Sequence, residues 1–154
     1  MRSFLKSFCY AFRGIGYQLT YERNFRIHCF AALTVCLAAA LFYEFSSLEW
    51  CLLVLQICLV IGVESLNTAI EQTDNKITTK PSKHIRRAKD SAAAAVLIFA
   101  IGSLVLAYHL FWDVRVFREI IAFFSVWYYA LLLEVYVAII LIFVFCRKTY
   151  KKGK

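Results

Sequence analysis

Residues 48–75 read LEWCLLVLQICLVIGVESLNTAIEQTDN, and this run decides what kind of protein the chain is. From Leu48 to about Leu66 it is apolar for close to the roughly 20 residues a helix needs to cross a bilayer. It then turns polar from Glu64 to Asn75, with no Gly or Pro after Gly62 to stop the helix. One helix is therefore expected to cross the membrane and continue out of it. At about 100° per residue, Asn67, Glu71 and Asp74 fall within roughly 80° of Glu64, so four polar side chains share one stripe. An ionisable group at the centre of a span costs about 2.5–3.5 kcal/mol on insertion scales, and carboxylates on one face repel each other. Something cationic must offset them: a divalent metal on carboxylate oxygens, the basic loop carrying Arg86, Arg87 and Lys89, or both. With a nucleotide polyphosphate added, these are the parts of phosphoryl transfer, and Glu64 at the interface suits a base toward a lipid hydroxyl. A purely structural ion-pair network and a proton or ion pathway are the alternatives on spacing alone.

The rest of the chain agrees with a lipid solvent. Of 154 residues, 62% are hydrophobic and 17% aromatic, with Pro81 the single proline, outside the usual composition of water-soluble domains. The apolar runs are rich in Ala and Leu and lack the alternation of a membrane barrel, so the backbone must satisfy itself as helices. Spans are expected over about 28–46, 48–72, 90–112 and 120–146. Before them, Phe4, Leu5, Phe8, Phe12, Ile15 and Leu19 recur near helical spacing, which predicts an amphipathic helix over 3–24 lying on the membrane surface. Arg26 and His28 are expected to snorkel to the headgroups. The fold class is all-α integral membrane: residues 1–112 form a surface helix and three-span core, and 113–154 a C-terminal extension with a fourth span and a basic tail.

All but Arg115 and Arg118 of the 18 basic residues fall before the first span, between the second and third, and after the fourth. Those segments are expected in the cytoplasm, with both termini inside. The charge of +8 lies beside spans, which points to anionic headgroups and away from nucleic acid. No cleavable leader is expected. Cys29 and Cys36, like Cys51 and Cys58, stand seven apart and read as packing residues, and Cys146 borders the tail. The first and third spans have no ionisable residue in their middles, which weighs against a conduction pathway. Glu134 does stand mid-span in the fourth run, with Trp127, Tyr128 and Tyr129 nearby as expected hydroxyl or ring partners.

Glu64-x-x-Asn67-Thr68-Ala69-Ile70-Glu71, followed by Arg87-Ala88-Lys89-Asp90 and Ala93-x-Ala95-Val96-Leu97-Ile98, resembles the prokaryotic diacylglycerol kinase and undecaprenol kinase family. Upstream, Glu22-Arg23-Asn24-Phe25-Arg26-Ile27-His28 is similar to that family's junction between surface helix and first span. The resemblance covers about residues 4–112. It implies a homotrimer with active sites shared between neighbours at the cytoplasmic surface of the bacterial inner membrane, and an ATP-dependent lipid kinase that uses Mg²⁺. It also implies roles: Glu64 as general base, and Glu22 and Glu71 holding the metal of Mg-ATP with Asn67 in support. Lys89 would neutralise phosphate charge and Asp90 orient Lys89, with Lys80, Pro81 and Ser82 near the adenosine and Tyr10 touching nucleotide.

Three departures stand out. Asp74 comes three residues after Glu71, with Asn75 in the usual place of the family's Asp; Ala92–Ala95 has no Gly; and the chain runs on beyond Trp112. On these residues the expected reaction is diacylglycerol to phosphatidic acid, with undecaprenol as the alternative acceptor. A non-catalytic scaffold or transporter subunit is the alternative of another class.

Overall fold

In the computed structural model of the chain, residues 2–77 and 82–145 are described. They form six helices and, among the described residues, no strand: α1 (Arg2–Tyr21), α2 (Arg23–Phe42), α3 (Ser47–Ile77), α4 (Lys83–Phe111), α5 (Val114–Phe124) and α6 (Trp127–Phe145). Four are long and apolar enough to cross a membrane: α2, α3 over Ser47–Asp74, α4 and α6.

Two boundaries differ from the sequence reading, each for a local reason. The first span begins at Arg23, because the chain is extended at Glu22 (φ −102°, ψ 113°) and turns there from α1 into α2. The fourth run is two helices. Asp113 caps α5 by accepting from the Arg115 N–H at 2.8 Å, and the chain turns again at Ser125 and Val126. Arg115, Arg118 and Glu119 give this short helix a polar side, which suits it to the interface. The remaining 19 residues of α6 rise about 28 Å, close to the thickness of a hydrocarbon core. Hydrogen bonds from the Arg115 guanidinium and then its backbone N–H hold the Asp113 carboxyl below the usual carboxylate range.

α3 and α4 pair as an antiparallel hairpin. In its interior Gln56 Nε2 donates to the Phe99 carbonyl and to Ser103 Oγ, both at 2.9 Å, so an amide in lipid depth is answered from the neighbouring span. At the far end, Tyr43 donates to the Phe111 carbonyl at 2.8 Å, and its ring meets Phe111 edge-on. α6 lies antiparallel along α2: Thr34 and Tyr136 share a 2.8 Å hydrogen bond and Phe143 packs on Phe30, while Phe123 at the end of α5 packs on Phe42. This topology brings the end of α1, the start of α2, the end of α3, the start of α4 and the last described turn of α6 to one end of the molecule.

Most apolar side chains on the spans face outward, as expected where lipid or other copies supply the contacts. Two expectations are corrected here. Arg26 does not snorkel; it is turned inward and is only 4% exposed. Glu134 does not find the nearby rings: Tyr129 stacks on Phe123 with centroids 4.0 Å apart, and Glu134 is exposed on α6 with no hydrogen bond among the described residues. Cys9, Cys29, Cys36, Cys51 and Cys58 are free thiols.

Candidate active site

The buried polar side chains of the described residues are few: Arg26, Glu64, Asn67 and Thr68. Three of the four belong to the polar end of α3. Unbroken helix from Ser47 to Ile77 carries the stripe out of the apolar run, so depth changes along it. Glu64 is 3% exposed and Asn67 8%, whereas Glu71 lies open and Asp74 is half-buried. The register set by Gln56 against Phe99 and Ser103 brings Glu64 level with the Ala92–Ala95 segment of α4, where methyl side chains leave room for a carboxylate.

A third carboxylate comes from another element. Glu22, at the break between α1 and α2, accepts from Gln72 Nε2 at 3.1 Å, and the same amide donates to the Tyr17 hydroxyl at 2.9 Å. Gln72 thereby ties α3 to the α1–α2 junction without adding charge. The charges of Glu71 and Glu22 both act on Glu64, so the three carboxylates form one electrostatic unit. A cavity of about 430 Å³ lies between α1 and α3, bordered by Tyr10, Arg13, Tyr17, Ser65, Thr68 and Gln72. Tyr10 is exposed on it, with the Arg13 guanidinium 5.9 Å from its ring.

The residues expected from α4 occupy its first turns. Ser82 is the extended N-cap of α4, Lys89 is half-buried and Asp90 is exposed. Lys80, Pro81 and the side chain of Asn75 lie outside the described residues. The structure thus joins Glu22, Glu64, Asn67 and Glu71 through α3 and Gln72, places Tyr10 on the adjoining cavity, and leaves Asp90 on the surface of α4. Gln72 and Tyr17 are not singled out by the sequence, and Arg26 stands out there only as a residue expected at the headgroups. Gln72 falls about 80° from Glu64 on the side opposite Asp74, but only the fold brings Glu22 to its amide.

The donor set fits a hard cation shared with a polyphosphate. Asn67 Oδ1 and Asp74 Oδ2 are buried acceptors with no hydrogen-bond partner among the described residues, and Mg²⁺ is commonly held by one or two carboxylates plus substrate phosphates. Among the described residues no group of three His, Cys, Asp or Glu side chains could hold an ion alone. Any cation held here would need oxygens from outside the protein beside the Glu22 and Glu71 carboxylates.

Comparison with known proteins bears on the same residues. Residues 9–111 match the prokaryotic diacylglycerol kinase family. An undecaprenol kinase of Bacillus subtilis is 40% identical over 111 residues, 72% of this chain and 89% of the relative. A diacylglycerol kinase of Synechocystis is 40% identical over 104 residues, 66% of this chain and 58% of the relative, and one of Haemophilus influenzae is 30% identical over 89 residues, 58% and 75%. No solved structure matches. The matched segment contains Glu22, Glu64, Glu71 and Lys89 and stops before α5 and α6, and the scaffold alternative gives way to catalysis. The chain belongs to the prokaryotic diacylglycerol kinase family and is a multi-pass membrane lipid kinase.

Proposed function

We propose that the protein transfers the γ-phosphoryl group of Mg-ATP to the hydroxyl of a membrane lipid alcohol, with Glu64 as general base. The observation that supports this most is the gathering of Glu22, Glu64 and Glu71 at one end of a span, Glu64 buried and Glu71 open. Glu64 takes the hydroxyl proton as the hydroxyl oxygen attacks the γ-phosphorus; the bond to the bridging oxygen breaks, and ADP leaves with its electron pair. Mg²⁺ would supply positive charge against the polyphosphate. Glu22 and Glu71 are the residues that would hold it, and Asn67 stands between Glu64 and Glu71 along the helix, its side-chain oxygen without a partner among the described residues. Lys89 neutralises phosphate charge and Asp90 orients Lys89. Tyr10 and residues 80–82 border the nucleotide.

Undecaprenol is the first choice of acceptor. The similarity to the undecaprenol kinase spans 89% of that relative, more of its length than for either diacylglycerol kinase. The Glu22–His28 segment leans the same way, and His28 borders an apolar cavity of about 170 Å³ between α2, α3 and α4. Diacylglycerol is the second reading, supported by Arg87-Ala88-Lys89-Asp90. The protein acts as a homotrimer with shared sites, in the bacterial cytoplasmic membrane, its basic end and both termini toward ATP.

Purified protein in mixed micelles, given Mg²⁺, labelled ATP and each lipid separately, tests both levels of the proposal. Label is expected in lipid, faster with undecaprenol. Faster labelling of diacylglycerol reverses the order of acceptors; label in neither lipid, with folded protein, overturns the kinase reaction proposed for this site.

A further inference from the structure

α5 and α6 lie beyond residue 111, where the family match ends, yet the last turn of α6 returns to the α1–α2 junction. There the Arg26 guanidinium joins three elements. Its Nη2 donates to the Val144 carbonyl at 2.9 Å and its Nη1 to the Thr20 carbonyl at 2.9 Å, with Leu19 further off at 3.5 Å. The guanidinium carbon lies 5.6 Å from the Phe143 ring centre. The Thr20 carbonyl lies in the last turn of α1, where a helix leaves such groups unanswered and slightly negative, and the Val144 carbonyl lies at the far end of the described part of α6. A planar guanidinium can serve two of them at once, which a lysine ammonium does less well.

Glu22 stands one turn before Arg26, and its carbonyl accepts from the Arg26 N–H at 3.3 Å. Glu22, Arg26, Val144 and Phe145 border one cavity of about 480 Å³, so α6 walls the space beside that carboxylate. Above it, Phe30–Phe143 and Thr34–Tyr136 fix α6 against the same face of α2 that carries Arg26, at positions 26, 30 and 34. Sliding or loss of α6 would strip the guanidinium of the Val144 acceptor and of its ring contact, leaving Thr20 as its close acceptor.

We infer that the C-terminal extension is a strap that closes the α1–α2 junction through Arg26 and thereby positions Glu22. The inference rests on the reading of Glu22 as a metal-holding residue. Arg26 is a positioning residue, and the strap sets how well Glu22 is held for the metal without taking part in the transfer itself.

The test compares the full chain, the chain ending at Trp112, Arg26→Lys, and the double variant Phe143→Ala with Tyr136→Phe, which loosens α6 without shortening the chain. Two quantities are read: the Mg²⁺ concentration giving half-maximal label transfer, and the rate of tryptic cleavage after the exposed Arg23 in vesicles. The truncated chain and the double variant are expected to need about tenfold more Mg²⁺, the worth of a charge-assisted hydrogen bond, with turnover at saturating Mg²⁺ within twofold. Both should be cut at the junction at least five times faster, roughly the effect of 1 kcal/mol of lost closure. Arg26→Lys should fall between. Unchanged Mg²⁺ requirement and unchanged cleavage in the double variant overturn the strap, as does a parallel fall in turnover with no shift in Mg²⁺ requirement. If the full chain transfers no label, the proposed reaction fails, and cleavage of Arg23 still decides the strap: faster without α6 supports it and an equal rate overturns it.

Discussion

The polar end of α3 and the middle of α6 each set a glutamate in an apolar helix, and the two environments are opposite. Glu64 is buried, and Asn67, Thr68 and Glu71 follow it at helical spacing, with Glu22 arriving from another element. Glu134 is exposed between Leu133 and Val135, and Tyr136, the polar residue nearest to it in sequence, is engaged with Thr34. A carboxylate in lipid is costly in either place. What separates a site from an isolated charge is the company at three, four and seven residues, which can share a cation and organise a reaction. α6 carries none; α3 carries it over ten residues. The family match contains the first glutamate and ends before the second.

This difference leads to substitutions of graded effect. Glu64→Gln removes the base and should lower turnover by about 10²–10⁴-fold, measured as label transferred to lipid at saturating Mg-ATP. Glu22→Gln and Glu71→Gln leave the base in place and should raise the Mg²⁺ concentration for half-maximal transfer by about 10–100-fold; a loss of turnover that excess Mg²⁺ does not restore would deny them a metal role. Gln72→Leu removes the amide between Glu22 and Tyr17, worth about 1 kcal/mol, so a rise of roughly fivefold in the same Mg²⁺ requirement is expected. Glu134→Leu should be the mildest, with activity within twofold and thermal stability in detergent equal or higher, because it removes a carboxyl group that has no partner among the described residues. A marked fall in activity there would place Glu134 against another copy in the assembly.

Sequence and structure meet most closely where periodicity does the work. The long α3, its polar stripe and the presence of four spans follow from run lengths and from 100° steps, and the structure adds the depth of the stripe and the bounds of the first and fourth spans. The breaks at Glu22 and Ser125 were less legible, since no Gly or Pro marks them: one is an extended residue between two helices, the other the end of a helix too polar on one side to enter lipid. Arg26 misled because a basic residue beside a span ordinarily reaches for headgroups. Its burial depends on the carbonyls of Thr20 and Val144, and the second lies 118 residues away. Gln72 shows the same limit, its meaning set by Glu22 on an element 50 residues distant.

The central claim is the division of labour along one helix, Glu64 for the proton and Glu71 with Glu22 for the metal. It is tested most directly by measuring Mg-ATP binding and label transfer to undecaprenol on one preparation of Glu64→Gln beside the unaltered chain. The account predicts binding within about twofold of the unaltered chain, the margin for a residue outside the nucleotide's ligand set, while transfer is lost. Binding and transfer lost together, or transfer retained, would contradict it.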